Sequence, residues 1–149
     1  MKYLFIFLII PFSASADERY CSKLADIVMT QAIGKAYVNE SLKDSSIEQW
    51  RMSWFLSAED FNKLGVSERR QKKISKEIAK VKSISGDSDS DAFIIADFYY
   101  AHCITPKKKR KYKSLLKAST EELNKCWRER DQSKEHGARL CITSISSKP

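Results

Sequence analysis

Four glycines and three prolines are all the strong backbone punctuation in this 149-residue chain. Glycine frees the backbone and proline removes a donor, so regular segments tend to end near them. With so few, long uninterrupted segments are expected, and the apolar periodicity says of which kind. From Tyr20 to Val38 apolar groups recur at Cys21, Leu24, Ala25, Val28, Ala32 and Ala36, with a second line through Met29, Ile33 and Tyr37. Steps of three and four place both lines on one side of a helix of about five turns. No stretch alternates apolar and polar residues strongly enough to demand a sheet. The expected fold is all-α: a single domain over residues 17–149, a bundle of about five helices with a cystine-pinned C-terminal tail.

The remaining elements follow the same logic. Ser45-Ser46-Ile47-Glu48 matches a capping box and predicts a helix carrying Ile47, Trp50, Trp54 and Phe55, with the aromatics in the core. Ser57 to Asp60 opens a short turn that ends at Gly65. Ser67 caps a strongly basic helix whose apolar stripe is thin (Ile74, Ile78, Val81), and Gly86 is its expected stop. The segment Ala92–Ile104, AFIIADFYYAHCI, is apolar on nearly every side, the pattern of a central helix covered by its neighbours. Pro106 ends it. A last long helix is expected from about Lys111 to Gln132, with Tyr112, Leu115, Leu116, Leu123, Cys126 and Trp127 inward, broken by His136-Gly137. Leu140 to Ser144 reads as a short strand or an extended tail pinned by Cys141.

The first residues read as an address. Lys2 precedes an unbroken apolar run, Tyr3 to Ile10, closed by Pro11. Ser13-Ala14-Ser15-Ala16 and the charged pair Asp17-Glu18 follow. A positive start, an apolar middle and an Ala-x-Ala end are the layout of a secretory signal peptide over residues 1–16, cut between Ala16 and Asp17. The apolar run is about half the ~20 residues that span a bilayer. The alternative, an uncleaved amphipathic anchor, lacks a polar face. Cys21 lacks the preceding small-residue pattern of lipoprotein processing. The expected location is periplasmic or secreted.

Export bears on the cysteines. Cys21, Cys103, Cys126 and Cys141 all lie beyond the leader, and an even number in an oxidising compartment reads as two disulfides. Of the three possible pairings, the expected one joins Cys126 to Cys141 across a short segment and Cys21 to Cys103. No two cysteines sit two to four residues apart, so the usual zinc knuckle is absent and no metal site is expected. Asp87-Ser88-Asp89-Ser90-Asp91 has the oxygen spacing that opens a calcium loop. Ala92 then stands where the turn needs glycine, and Phe98 where a bidentate glutamate belongs. The stretch reads instead as a helix N-terminus, where Asp and Ser accept backbone N–H bonds.

Charge is unevenly placed. Residues 65–86 carry a net +5 and 107–149 a net +8, against −2 over 17–64 and −4 over 87–106. Such segmentation suggests a polarised surface. The run Lys107, Lys108, Lys109, Arg110, Lys111, with Lys113 beyond it, matches a nuclear import pattern that an exported protein has no use for. Cations also oppose the dipole at a helix start. The run is therefore either a solvated linker or a site for an anionic partner: lipid phosphate, lipopolysaccharide or an acidic protein face. Nucleic acid is not an expected partner. The earlier cluster, Arg69, Arg70, Lys72, Lys73, Lys76, Lys80 and Lys82, reads as the exposed face of an edge helix.

Reaction chemistry is not written in the chain. No Gly-rich phosphate loop, Gly-x-Ser-x-Gly or His-Glu-x-x-His occurs. His102 neighbours Cys103, but an oxidised cysteine is no nucleophile, and His102 reads as a core or boundary residue. Glu59-Asp60 and Glu121-Glu122 suit first-turn capping rather than a facing acid/base couple. No catalytic residue and no cofactor are expected. Asn39-Glu40-Ser41 matches a glycosylation acceptor, relevant in a eukaryote alone.

Cys21-x-x-Leu24-Ala25-x-x-x-Met29-x-x-Ala32 after a signal, followed later by Phe98-Tyr99-Tyr100-Ala101-His102-Cys103, resembles small exported helical proteins of Gram-negative bacteria and their phages. The likeness covers residues 17 to 105; the basic run and the Cys126/Cys141 tail depart from it. It implies an envelope location more than a mechanism. The expected function is a non-enzymatic binding protein, in its most concrete form an immunity or inhibitor protein that docks a toxin or a cell-wall enzyme in the envelope. The alternative is a binder of anionic envelope components acting through residues 107–113.

Overall fold

The computed structural model describes residues 14–40 and 57–147, with side chains placed from residue 18 to 36 in the first stretch. Among the described residues there are six helices and no strand, so the all-α expectation holds. They are α1 (Ala14–Glu40), α2 (57–63), α3 (Glu68–Lys80), α4 (Ser88–Ile104), α5 (Thr120–Arg128) and α6 (Arg139–Ser146). Residues 1–13 of the expected leader 1–16, the capping box at Ser45–Glu48 and the Trp50, Trp54 and Phe55 segment lie outside the described residues.

The apolar segment after Gly86 becomes the central helix. In α4, Ala92 and every residue from Ile94 to Ala101 are buried, covered by α1, α5, α6 and a short 3-10 turn at Leu115–Lys117. Helix α1 lies along it through Cys21, Leu24, Ala25 and Val28, and small groups such as Ala25 and Ala96 let the two backbones approach. Asp87 starts α4 as its sequence suggests, accepting the Ser90 N–H at 2.9 Å. The neighbouring Asp91 folds back instead. Its carboxylate accepts from the backbone N–H groups of Ile84 and Ser85 and from both hydroxyls of Ser83 and Ser85. The acidic stretch therefore organises the turn before α4, where Gly86 supplies a φ of +88°.

That role for Gly86 corrects its expected one. Helix α3 ends at Lys80, with Val81 extended beyond it and its carbonyl accepting from the Lys35 ammonium at 2.7 Å. At the other end Ser67 occupies the cap position without a side-chain capping bond. Ile74 and Ile78 are buried as the thin stripe implied, joined by Glu77. The Glu77 carboxylate accepts from the Tyr99 hydroxyl at 2.8 Å and the Leu115 N–H at 3.1 Å, fastening α3 to α4 and to the 3-10 turn.

The C-terminal third departs most from expectation. No helix runs from Lys111 to Gln132. The basic run forms a single 3-10 turn at Lys107–Lys109, and Leu116 is exposed. Five consecutive cations at a helix N-terminus repel the dipole there. Helix α5 starts later, where Ser119 Oγ accepts the Glu122 N–H and Glu121 and Glu122 occupy the first turn. Residues 139–146 form a helix rather than a strand or an extended tail. Ala138, Ile142 and Ser146, four apart, are buried together on α4, a spacing that suits a helix face and no strand. Both expected cystines form: Cys21–Cys103 staples α1 to α4, and Cys126–Cys141 staples α5 to α6.

Candidate anion-binding site

The C-terminal turn of α4 carries His102, its ring stacked on Phe98 one turn earlier with centroids 6.0 Å apart. On one side of it α3 brings Arg70; on the other, the chain leaving α4 brings Lys107 and Arg110. Arg110 is held in place by its Nε, which donates to the Thr105 carbonyl at 2.8 Å. Tyr20 of α1 completes the ring, its hydroxyl 3.4 Å from Arg70 Nη1. Together these groups surround a hollow of about 450 Å³ that is also lined by the Cys21–Cys103 cystine. A second, smaller hollow of about 70 Å³ shares Arg70 and His102 and adds Lys73 and Lys113.

The charge around the larger hollow is of one sign among the described residues, since none of those lining it is acidic. On α3, the Glu77 carboxylate is committed to Tyr99 and Leu115 and stands 3.9 Å from Lys73. His102 registers this field. Burial first, then the charges of Arg110, Lys73 and Arg70, push its pKa down to about 4 against a smaller opposing pull from Glu77. At neutral pH its ring is therefore uncharged, with one nitrogen to donate and one to accept. Burial and the Arg70 charge likewise hold Arg110 below its ordinary value. Two guanidiniums, a neutral imidazole and a phenol around one depression can bind an oxyanion; arginine presents a planar fork of donors suited to such groups.

The basic run does not act as a block. Lys107 and Arg110 line the larger hollow and Lys113 the smaller one. Lys108 and Lys109 are exposed beside them. Lys111 turns away: its ammonium pairs with Glu122 at 2.9 Å, and its backbone N–H donates to the Ser146 carbonyl. Arg70, Lys73 and His102 belong to the site although no motif marked them. The signal available was the charge segmentation, two basic segments flanking one apolar helix.

A separate charged cluster lies deeper. Asp97, in the middle of α4, is fully buried. Its Oδ1 is 3.2 Å from Arg139 Nε and 3.1 Å from His136 Nδ1, the latter off the line of a good hydrogen bond. Arg139 is itself 17% exposed, stacks over Tyr100 at 4.1 Å and donates to Ser22 Oγ at 3.2 Å. Burial raises the Asp97 pKa, opposed by Arg139 and then His136. His136, expected merely to break a helix, is thus a packing partner of α4. Gly137 beside it permits this turn, because a Cβ there would collide with the Asp131 carbonyl oxygen. The cluster joins α1, α4 and the segment entering α6. Among the described residues no group of three His, Cys, Asp or Glu is placed to hold a metal ion.

The fold and the site define a cystine-stapled helical bundle with a cationic depression on one face. Among the described residues no helix is long and apolar enough to cross a membrane. No family model, curated protein or solved structure matches the chain.

Proposed function

We propose that this is an exported, non-enzymatic recognition protein that engages an anionic component of the cell envelope through the face formed by Arg70, Lys73, Lys107, Arg110 and Lys113. In this reading the leader is removed between Ala16 and Asp17 and the protein works in the periplasm or outside the cell. The observation that carries it is the convergence of cations from α3 and from the 107–113 segment on hollows whose lining, among the described residues, carries a single carboxylate, that of Glu77. Two disulfides support a role in an oxidising compartment. The Cys21–Cys103 bridge, which lines the larger hollow, also keeps that face preorganised, which lowers the ordering cost of binding.

The test is co-sedimentation of the oxidised protein with vesicles of anionic or neutral phospholipid over a range of salt. Binding is expected on anionic vesicles alone, weakening as salt rises. Replacing Lys107, Lys108, Lys109 and Arg110 together by Gln should reduce it at least tenfold. Retained binding in that variant removes the reading.

A second reading, an immunity or inhibitor protein docking a toxin or a cell-wall enzyme, is favoured by Leu140. This side chain is 83% exposed on α6 and has the character of an apolar anchor for a protein face. Affinity capture from the native envelope, with Leu140→Ser as control, tests it: a single acidic protein captured by the wild type and lost by the variant supports it, and no such protein refutes it.

A further inference from the structure

We infer that the hollow bounded by Tyr20, Arg70, His102, Lys107 and Arg110 is a binding site for a phosphate monoester, either the terminal phosphate of a lipid headgroup or that of a small phosphorylated molecule. The inference rests on the envelope-anion reading and names the chemistry of that same site.

Among the described residues, three cations and no carboxylate line the hollow. A monoester carries about −1.5 to −2 charge at neutral pH on three terminal oxygens. A carboxylate brings one charge and a phosphodiester one charge on two free oxygens, so either leaves more of the field uncompensated. The donors match the oxygens in kind as well as in charge. Arg110 is oriented by its bond to the Thr105 carbonyl, which consumes Nε and leaves the terminal nitrogens of the fork without a partner among the described residues. Arg70 has the Tyr20 hydroxyl as its hydrogen-bonding partner, with no acidic partner among the described residues. Neutral His102 adds a donor without an added charge, a state that its burial and then its cationic neighbours maintain. A volume of about 450 Å³ holds a phosphate together with the group esterified to it. The walls come from α1, α3 and α4, and the cystine between α1 and α4 fixes two of them relative to each other.

The experiment follows the His102 ring signals of the oxidised full chain by NMR. Inorganic phosphate and a soluble short-chain phosphatidic acid are titrated against sodium chloride of equal ionic strength. A saturable shift with a phosphate probe and none with chloride is expected. It should weaken at least tenfold in Arg70→Gln and in Arg110→Gln, and stay within twofold of wild type in Lys109→Gln, whose side chain lies outside the hollow. Near-UV circular dichroism of each variant confirms the fold, and Arg70→Lys supplies a milder change of the same charge. Saturation by phosphatidic acid alone assigns the site to a lipid headgroup; equal saturation by both assigns it to small phosphorylated molecules.

Vesicles of phosphatidic acid and of phosphatidylglycerol, matched in surface charge, separate this inference from the reading beneath it. Preference for the monoester supports the inference. Equal binding to both vesicles with unmoved His102 signals overturns it and leaves a charge-driven envelope binder. No binding to either vesicle removes the reading beneath it, and His102 signals unmoved by both soluble phosphate probes overturn the inference.

Discussion

Asp97→Ala should be among the most damaging single substitutions in the chain. The carboxylate is fully buried and faces Arg139, which is largely buried too. Because burial raises the Asp97 pKa despite two flanking partners, ionising it costs more than those partners return. The pair is thus no large net gain over an uncharged core. The damage comes from what is left behind. Without Asp97, Arg139 keeps its charge among Tyr100 and Ser22, and its Nη2 already lacks a hydrogen-bond partner. Removing one member of such a pair costs about 3–5 kcal/mol, whereas replacing both by apolar residues of similar volume is neutral or stabilising. Against a typical total of about 5–15 kcal/mol, the single variant loses roughly a fifth of its stability or more. For a chain of this size the loss lowers Tm by about 10–20 °C. Asp97→Leu combined with Arg139→Met should recover most of it. Urea and thermal unfolding of the oxidised wild type, both single variants and the double variant complete the cycle. A loss below about 1 kcal/mol in Asp97→Ala, or strictly additive losses in the double variant, refutes this account.

Two further outcomes follow. His102 titrates near 4 in the fold and near its ordinary value unfolded, so the unfolded chain takes up the proton first, and stability falls as pH drops from about 6.5 towards 4. With allowance for partial exposure and salt, His102→Gln should remove about 1–2 kcal/mol of this pH-dependence, read as the difference between urea titrations at pH 7 and pH 4.5; identical slopes contradict the assignment. The two cystines should differ in weight, since one spans 82 residues and the other 15. Loop-closure entropy gives about 4.5 kcal/mol for Cys21–Cys103 and about 3 kcal/mol for Cys126–Cys141, measurable on the paired Cys→Ser variants. The reverse order places the stabilisation in native-state strain or packing instead.

What could be read from the chain was what local chemistry dictates. The all-round apolar segment had to be central, the α1 stripe had to face it, and an Asp before a Ser-Asp pair had to cap. The cystine pairing that forms is the expected one, although spacing alone leaves three pairings open. Long-range events were not. Whether residues 139–146 were strand or helix depended on Ala138, Ile142 and Ser146 finding α4, a surface that local pattern does not contain. His136 looked like punctuation because its partner lies 39 positions earlier in sequence. One signal was present and went unused: a lone Asp within AFIIADFYY demands a counter-charge, and that demand pointed to a cation from a distant element. The basic cleft was hidden for a related reason, since its parts come from α1, α3 and the segment after α4.

The cystines also bear on how such a chain matures. Each cysteine pairs with the next one along, the first with the second and the third with the fourth. If the chain is exported as proposed, threading through a membrane amino end first delivers its thiols in that same order. The earliest bond made between successive arrivals is then already the native one. Oxidation can keep pace with translocation, with little demand on the slow reshuffling of mispaired sulfurs.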